Sequence, residues 1–419
     1  MKFTAPKGTR DLLPPETTAW QYAEQVFCEV CHRFGYQEIR LPTFEQTALF
    51  QRGVGETTDV VQKEMYTFDD KGGRSMTLRP EGTAGVVRSY IENGMASWPS
   101  PVRLFYMITA FRYENVQKGR YREFHQFGCE AIGAEGPAID AELISLLDLY
   151  FKTMGLKETS LRINSIGCPQ CREQYHRVLK AWLKPHLTKL CANCQERFER
   201  NPLRIIDCKE ENCARLTADA PAQMDYLCQT CGDHFNGLQH QLRLLDLPFV
   251  IDRRIVRGLD YYTRTVFEFV SGHVGTQGTI CGGGRYDGLI AAVGGSATPG
   301  IGFALGVERL FMELQAQEVQ MPLPQPARLF IAVAGNHADE AARLCSRLRR
   351  SGIYADVDTM GRSLKAQMKY AGKSGAAAVL VLGDDEVNSG TGRLRDLASG
   401  QEIEVALDQL KNLLQPRTV

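Results

Sequence analysis

The uneven distribution of thirteen cysteines constrains this 419-residue chain more than any other feature. Eight lie between Cys168 and Cys231, a window of 64 residues, where even scatter would place about two. They form four pairs: Cys168-Pro169-Gln170-Cys171, Cys191-Ala192-Asn193-Cys194, Cys208 with Cys213, and Cys228-Gln229-Thr230-Cys231. The first two knuckles are separated by 19 residues, which suits a four-cysteine zinc site, and the other two make a second pair of pairs. Eight thiolates suffice for one or two structural Zn2+ ions, closed to catalysis. Spacing leaves open which knuckle partners which, and reduced cysteines packed as small hydrophobes are the competing reading. Cys28-Glu29-Val30-Cys31 is a further pair, but it lies in a helical stretch where Cys31 shares the apolar face of Phe27 and Phe34, so core packing explains it.

The cysteine-rich stretch divides the chain. Residues 1–159 mix a helix over Thr17–Phe34 with short strand-like runs (Glu38–Pro42, Ser75–Arg79, Val102–Ile108) and show no regular strand–helix alternation. That pattern predicts an α+β domain built on an antiparallel sheet flanked by helices. Residues 160–250 read as a mostly helical inserted domain, and 251–320 return to strand and glycine-turn character. Residues 321–327, rich in proline, form a stiff linker. Residues 328–419 alternate strand and helix, which predicts a small α/β domain with a largely parallel sheet.

Lys+Arg and Asp+Glu are both 49, so net charge is zero, and a broadly polybasic nucleic-acid binder is excluded. The longest apolar runs, such as Ala376–Leu382, are strand-length, and the N-terminus has no apolar signal-like region. A cytoplasmic protein with no membrane partner is expected, and a reducing compartment argues against disulfides.

Phe111-Arg112-Tyr113-Glu114, a polar loop, and Arg120-Tyr121-Arg122-Glu123-Phe124 set three arginines around a loop tip between strands. Guanidinium forks can hold phosphate or carboxylate, although a solvated charged hairpin has the same pattern. Gly300-Ile301-Gly302-Phe303-Ala304-Leu305-Gly306-Val307-Glu308-Arg309 allows close approach to a ligand, or is a strand-to-helix turn with Glu308 and Arg309 in solvent. Gly282-Gly283-Gly284-Arg285 lacks the ending of a P-loop and reads as tight-turn glycine.

In order, these segments resemble motifs 2 and 3 of the class II aminoacyl-tRNA synthetases. Arg257-Gly258-Leu259-Asp260-Tyr261-Tyr262-Thr263-Arg264-Thr265-Val266-Phe267-Glu268 resembles a signature of the histidyl-tRNA synthetases. Pro6–Pro14, Arg79-Pro80-Glu81-Gly82-Thr83 and Gln126–Gly133 fit the same family. The resemblance implies ATP, with Mg2+ as its counter-ion, held by Arg112, Glu114, Arg120, Phe124 and Arg309. It implies L-histidine held by Glu81, Thr83, Arg112, Gln126, Glu130, Arg257, Tyr261 and Tyr262, with Glu130 and Tyr262 reading the imidazole. Arg112, Arg257 and Gln126 are then the residues nearest the reacting atoms, Arg257 standing where other class II enzymes use a metal ion.

Histidine–tRNA ligation is the activity implied, with tRNA(His) as partner, an anticodon-binding domain at 328–419 and a homodimer. The chain departs from the commoner bacterial pattern in its cysteine-rich insertion. A regulatory subunit of histidine biosynthesis that binds histidine without charging tRNA is the alternative, although such relatives lack the C-terminal domain and parts of the motifs. A zinc-containing nucleic-acid module with a vestigial core, and an enzyme for proline, threonine or glycine, are further readings, and the Arg257–Glu268 segment argues against the last. Arg362, Lys365, Lys369 and Lys373 form a candidate basic stripe on one C-terminal helix, or a solvated face.

Overall fold

The computed structural model describes residues 3–55, 58–206, 208, 210–273, 278–323 and 328–414. The chain divides into two compact units, Met1–Pro322 and Leu323–Val419. The break falls in the proline-rich segment; residues 324–327 of the expected linker lie outside the described residues.

The first unit is organised by an eight-stranded sheet. Its order across the sheet is Gln37–Glu38, Val102–Phe111, Glu123–Ile132, Gly300–Gly306, Thr279–Arg285, Thr263–Val270, Ser160–Ser165 and Phe249–Ile251. Every neighbouring pair is antiparallel except the outermost pair at each edge. Strand alternation gives the sheet two different faces. On one, Phe105, Phe127, Cys129, Ile301, Phe303 and Leu305 join a core closed by the helices Glu16–Arg33, Pro137–Thr153, Gln229–Leu244 and Val307–Ala316. The first of these helices buries Ala19, Ala23, Val26, Phe27 and Val30, the three-and-four spacing of a single stripe. Phe27 stacks on Phe127 at 4.9 Å and meets Tyr150 edge-on at 5.2 Å.

Two expectations for this unit need correction. The Glu38–Pro42 strand shortens to Gln37–Glu38, because Pro42 cannot donate to a ladder; Ile39 N–H still donates to Phe105 O at 2.8 Å. The expected insertion, 160–250, is too long at both ends. Ser160–Ser165 and Phe249–Ile251 are strands of the main sheet, and Phe235, Leu238 and Leu242 of the Gln229–Leu244 helix belong to the main core. Short helices, Pro169–Leu183 the longest, fill the excursion between, around a small core of Tyr175, Leu179, Phe198, Ile205 and Cys213.

In the second unit the sheet order is Ala355–Val357, Leu329–Val333, Ala378–Leu382, Thr391–Asp396 and Glu402–Ala406. The first three strands are parallel as expected, but the last two form an antiparallel hairpin. Arg393, Arg395, Glu402 and Glu404 are exposed on it, so the segment has no apolar run to betray a strand. Arg362 lies ahead of the Leu364–Lys373 helix rather than on it. It donates to Asp358 at 2.7 Å and lies over the Tyr370 ring, leaving exposed Lys365, Lys369 and Lys373 on the helix.

Candidate active site

The sheet face opposite the main core is floored by glycine. A Cβ at Gly128 would overlap the Tyr106 ring, and one at Gly282 the Arg257 guanidinium. At Gly302 it would overlap the Glu130 carboxylate, and at Gly300 the Tyr286 ring. Gly282, Gly283 and Gly284 lie inside the Thr279–Arg285 strand and are not turn residues; Gly282 and Gly284 leave room for Arg257 and Tyr262 on this face, and Gly283 for Phe267 and Phe303 on the core face.

Over this floor opens a cavity of about 750 Å3. Glu81, Thr83, Arg112, Glu114, Arg120, Phe124, Gln126, Arg257, Tyr261, Tyr262 and Arg309 all line it. The remaining expected residue, Glu130, does not. It is fully buried behind Thr83, whose hydroxyl donates to it at 2.7 Å. The hydroxyls of Tyr286 and Tyr106 also donate to Glu130, at 2.7 and 3.2 Å.

Each side chain is aimed by a local device. Arg112 follows the Val102–Phe111 strand, donates to Pro80 O at 2.9 Å and lies over the Phe124 ring. Glu81, just ahead of the Gly82 N-cap, accepts from the backbone N–H groups of Thr83 and Ala84 at 2.7 and 2.8 Å, the first two donors of the helix that starts at Thr83. Arg309 donates to Thr279 O at 2.7 Å, and its neighbour Glu308 accepts from His125 N–H at 3.0 Å. Neither reaches freely into solvent. Arg257 is ion-paired with Glu268, at the far end of the same signature, and lies 5.7 Å from the Tyr262 ring centre.

Burial sets the electrostatics. It pushes the Glu130 carboxyl up to about 8; hydroxyl donors oppose the rise and nearby Glu81 adds to it. Burial also raises Glu81 against the pull of its backbone donors. Burial disfavours the Arg257 charge, but Glu268 and Tyr262 together more than offset this and hold the guanidinium above its ordinary value. Burial, with Arg120 and Arg112 close by, depresses Arg309. Glu114 lies among these guanidinium groups, 3.8 Å from Arg112 and 3.4 Å from Arg120, and offsets part of their repulsion. The side-chain oxygen of Gln126 is buried with no hydrogen-bond partner among the described residues.

Sequence reasoning passed over Tyr106 and Tyr286, which fix Glu130. Tyr106 sits in an apolar strand run and carries no signal beyond core packing; the glycine opposite it in the ladder, Gly128, was the available hint.

The cysteines resolve into two nested tetrads: Cys168, Cys171, Cys228 and Cys231, and Cys191, Cys194, Cys208 and Cys213. Sequence-adjacent knuckles do not simply pair; the first joins the fourth. Within each tetrad the sulfurs lie within 4.8 Å of one another. Cys168 and Cys171 are 3.5 Å apart, and Cys191 and Cys208 are 3.9 Å apart. A tetrahedral Zn–thiolate site has sulfur–sulfur edges of about 3.8 Å, whereas a disulfide needs about 2.05 Å. Backbone N–H groups support sulfur in both: Cys228 N–H to Cys171 at 3.1 Å and Cys191 N–H to Cys213 at 3.2 Å. The donor set fits a metal of thiolate preference.

An antiparallel sheet with a cationic, glycine-floored cavity and a separate α/β unit defines a class II aminoacyl-tRNA synthetase. Residues 8–310 match the family described as histidyl-tRNA synthetase, and residues 328–417 match an anticodon binding domain. A histidine–tRNA ligase of Acetivibrio thermocellus is 60% identical over 99% of this chain and 100% of the relative. One from Desulforamulus reducens is 50% identical over the whole of both chains. The crystal structure of apo S. aureus histidyl-tRNA synthetase superposes with a TM-score of 0.84 at 38% identity, covering 99% of this chain and 100% of that one. The chain belongs to the histidyl-tRNA synthetase family.

Proposed function

We propose that this cavity activates L-histidine with ATP and passes the product to the 3′ end of tRNA(His). The chain is an enzyme of the ligase class that joins an amino acid to tRNA. In the first step a carboxylate oxygen of histidine attacks the α-phosphorus of ATP; the bond to the bridging oxygen breaks, and pyrophosphate leaves with Mg2+ as its counter-ion. In the second, a ribose hydroxyl of the tRNA terminus attacks the acyl carbon of histidyl-adenylate, the bond from that carbon to the phosphate oxygen breaks, and AMP leaves with the hydroxyl proton passed to its phosphate or to water. Neither step needs a protein nucleophile; both need anions held in line and their charge dispersed.

Arg112 and Arg257 would flank the α-phosphate, each braced from behind, by Pro80 O and Glu268 respectively. Gln126 would face the substrate carboxylate. Glu114 and Phe124 would take the adenine, and Arg120 and Arg309 the γ-phosphate. Glu81 and Thr83 would receive the α-amino group. Glu130 would exchange the Thr83 hydroxyl for the imidazole N–H while Tyr262 meets the other ring nitrogen and Tyr261 closes the wall. A competitor without those ring atoms would leave buried polar groups unpaired, a penalty that lets such pockets discriminate by about 10⁴–10⁵.

The same reading places a structural Zn2+ in each tetrad, gives the second unit anticodon contacts, and takes the working form as a cytoplasmic homodimer. What supports it above all is the convergence of eleven separately encoded residues on one cavity. Histidine-dependent ATP–pyrophosphate exchange, followed by charging of bulk tRNA with each of the twenty amino acids, tests it. Activity with histidine alone is expected; histidine binding without exchange would favour the regulatory alternative and refute the proposal.

A further inference from the structure

The segment Val256–Tyr262 carries Arg257, Tyr261 and Tyr262 into the active site, yet it forms no strand or helix, and a second cavity of about 240 Å3 lies behind it. Side chains of the insertion hold it. Arg204 donates to Gly258 O at 2.7 Å, Asn201 to the Asp260 carboxylate at 3.0 Å, and Arg172 to Asp260 O at 3.3 Å and to Tyr262 O. Arg172 immediately follows Cys171; Asn201 and Arg204 lie between Cys194 and Cys208. The elements that present Asn201 and Arg204 are the helices Ala192–Arg200 and Leu203–Ile206, too short to be stable alone. Cys208 itself lines the main cavity.

We propose that Arg172, Asn201 and Arg204 are positioning residues that couple the two cysteine tetrads to histidine recognition: metal bound in the tetrads fixes the insertion, and the insertion fixes Arg257, Tyr261 and Tyr262. This rests on the reading of the tetrads as zinc sites and of the cavity as the histidine site. Coupling is reciprocal, so substrates that order the segment also tighten the metal.

The test uses the full chain, purified under reducing conditions with its zinc quantified. Asn201→Ala and Arg172→Ala are expected to raise the KM for histidine in pyrophosphate exchange about 10- to 100-fold, up to the loss a 1 Å misplacement transmitted from a distance can cause. Their zinc content stays at two per chain, and kcat at saturating histidine falls less than threefold, because bound histidine reorders the segment. Arg172→Lys, which keeps a donor, recovers most of the KM. Cys194→Ser loses one zinc and raises the same KM, and combining it with Asn201→Ala adds little. Saturating histidine and ATP slow zinc release to a chromogenic chelator in the unmodified chain. A purely structural role would lower kcat and thermal stability and leave KM alone. Two zincs per chain with wild-type KM in both alanine variants would overturn the coupling and leave the zinc reading standing. Zinc-free reduced protein would overturn the zinc reading, and the coupling with it. Absence of histidine-dependent exchange in the unmodified chain would overturn the functional reading instead.

Discussion

Glu130→Gln separates charge from shape at the buried carboxyl behind Thr83, next to the proposed histidine site. Three hydroxyls, from Thr83, Tyr106 and Tyr286, donate to this carboxyl, which burial pushes up to about 8. Glu81 is the nearby acid that adds to the rise. At neutral pH the empty site therefore holds a proton, and on the proposed reading the imidazole N–H would displace it on taking the carboxylate as acceptor. A group whose pKa is high in the free enzyme and lower in the complex makes binding tighten as pH rises toward the free-enzyme value. Below about pH 6.5 the substrate ring itself is protonated, so the informative window runs from there to about pH 8. Across it the KM for histidine is expected to fall about tenfold per pH unit, with about one proton released per histidine bound. Glutamine matches the protonated acid in shape, so the fold survives. The variant loses a charge-assisted hydrogen bond worth about 1.5–3 kcal/mol, so its KM rises about 10- to 150-fold and becomes flat across the window. Exchange kinetics against pH, with calorimetry in buffers of different ionisation enthalpy, read both effects. A flat wild-type profile without proton release, or a variant within threefold of wild type, would refute the reasoning.

Arg257→Ala is expected to leave histidine dissociation within a few-fold of wild type by calorimetry while exchange turnover drops about 10²–10³-fold; near-normal exchange would remove Arg257 from the α-phosphate. Gly302→Ala puts a methyl where the Glu130 carboxylate lies. Overpacking there should cost about 1–3 kcal/mol and raise the KM for histidine, and a variant unchanged in both would show that the floor tolerates a side chain. Arg285 and Asp140 are fully buried partners at 2.8 Å, tying the Thr279–Arg285 strand to the Pro137–Thr153 helix. Arg285→Ala strands the Asp140 carboxylate and should destabilise by about 3–5 kcal/mol; a loss below about 1 kcal/mol in urea denaturation would mean the pair is not the tie it looks to be.

Much of this protein was legible in its sequence because the information is local. The helix at Glu16–Arg33 shows in the three-and-four spacing of Ala19, Ala23, Val26 and Val30, and the cavity-lining residues come in short ordered motifs whose neighbours travel with them. The parallel half of the second unit was equally plain, since its strands are buried and apolar. The closing hairpin was not, because its exposed charged residues imitate a loop.

The residue types of the pocket, its arginines, its acid and its tyrosines, were determined by the amino-acid sequence alone, as was the presence of eight thiolates in one stretch. Tertiary structure alone decided which thiolates meet, since any two knuckles on a flexible chain can close and only packing selects the nested arrangement. It also decided that Glu130 sits behind Thr83 under two tyrosines, and that three adjacent glycines lie within a strand. Those facts depend on which strand lies beside which, and ladder partners such as Glu130 and Gly302 are 172 positions apart along the chain.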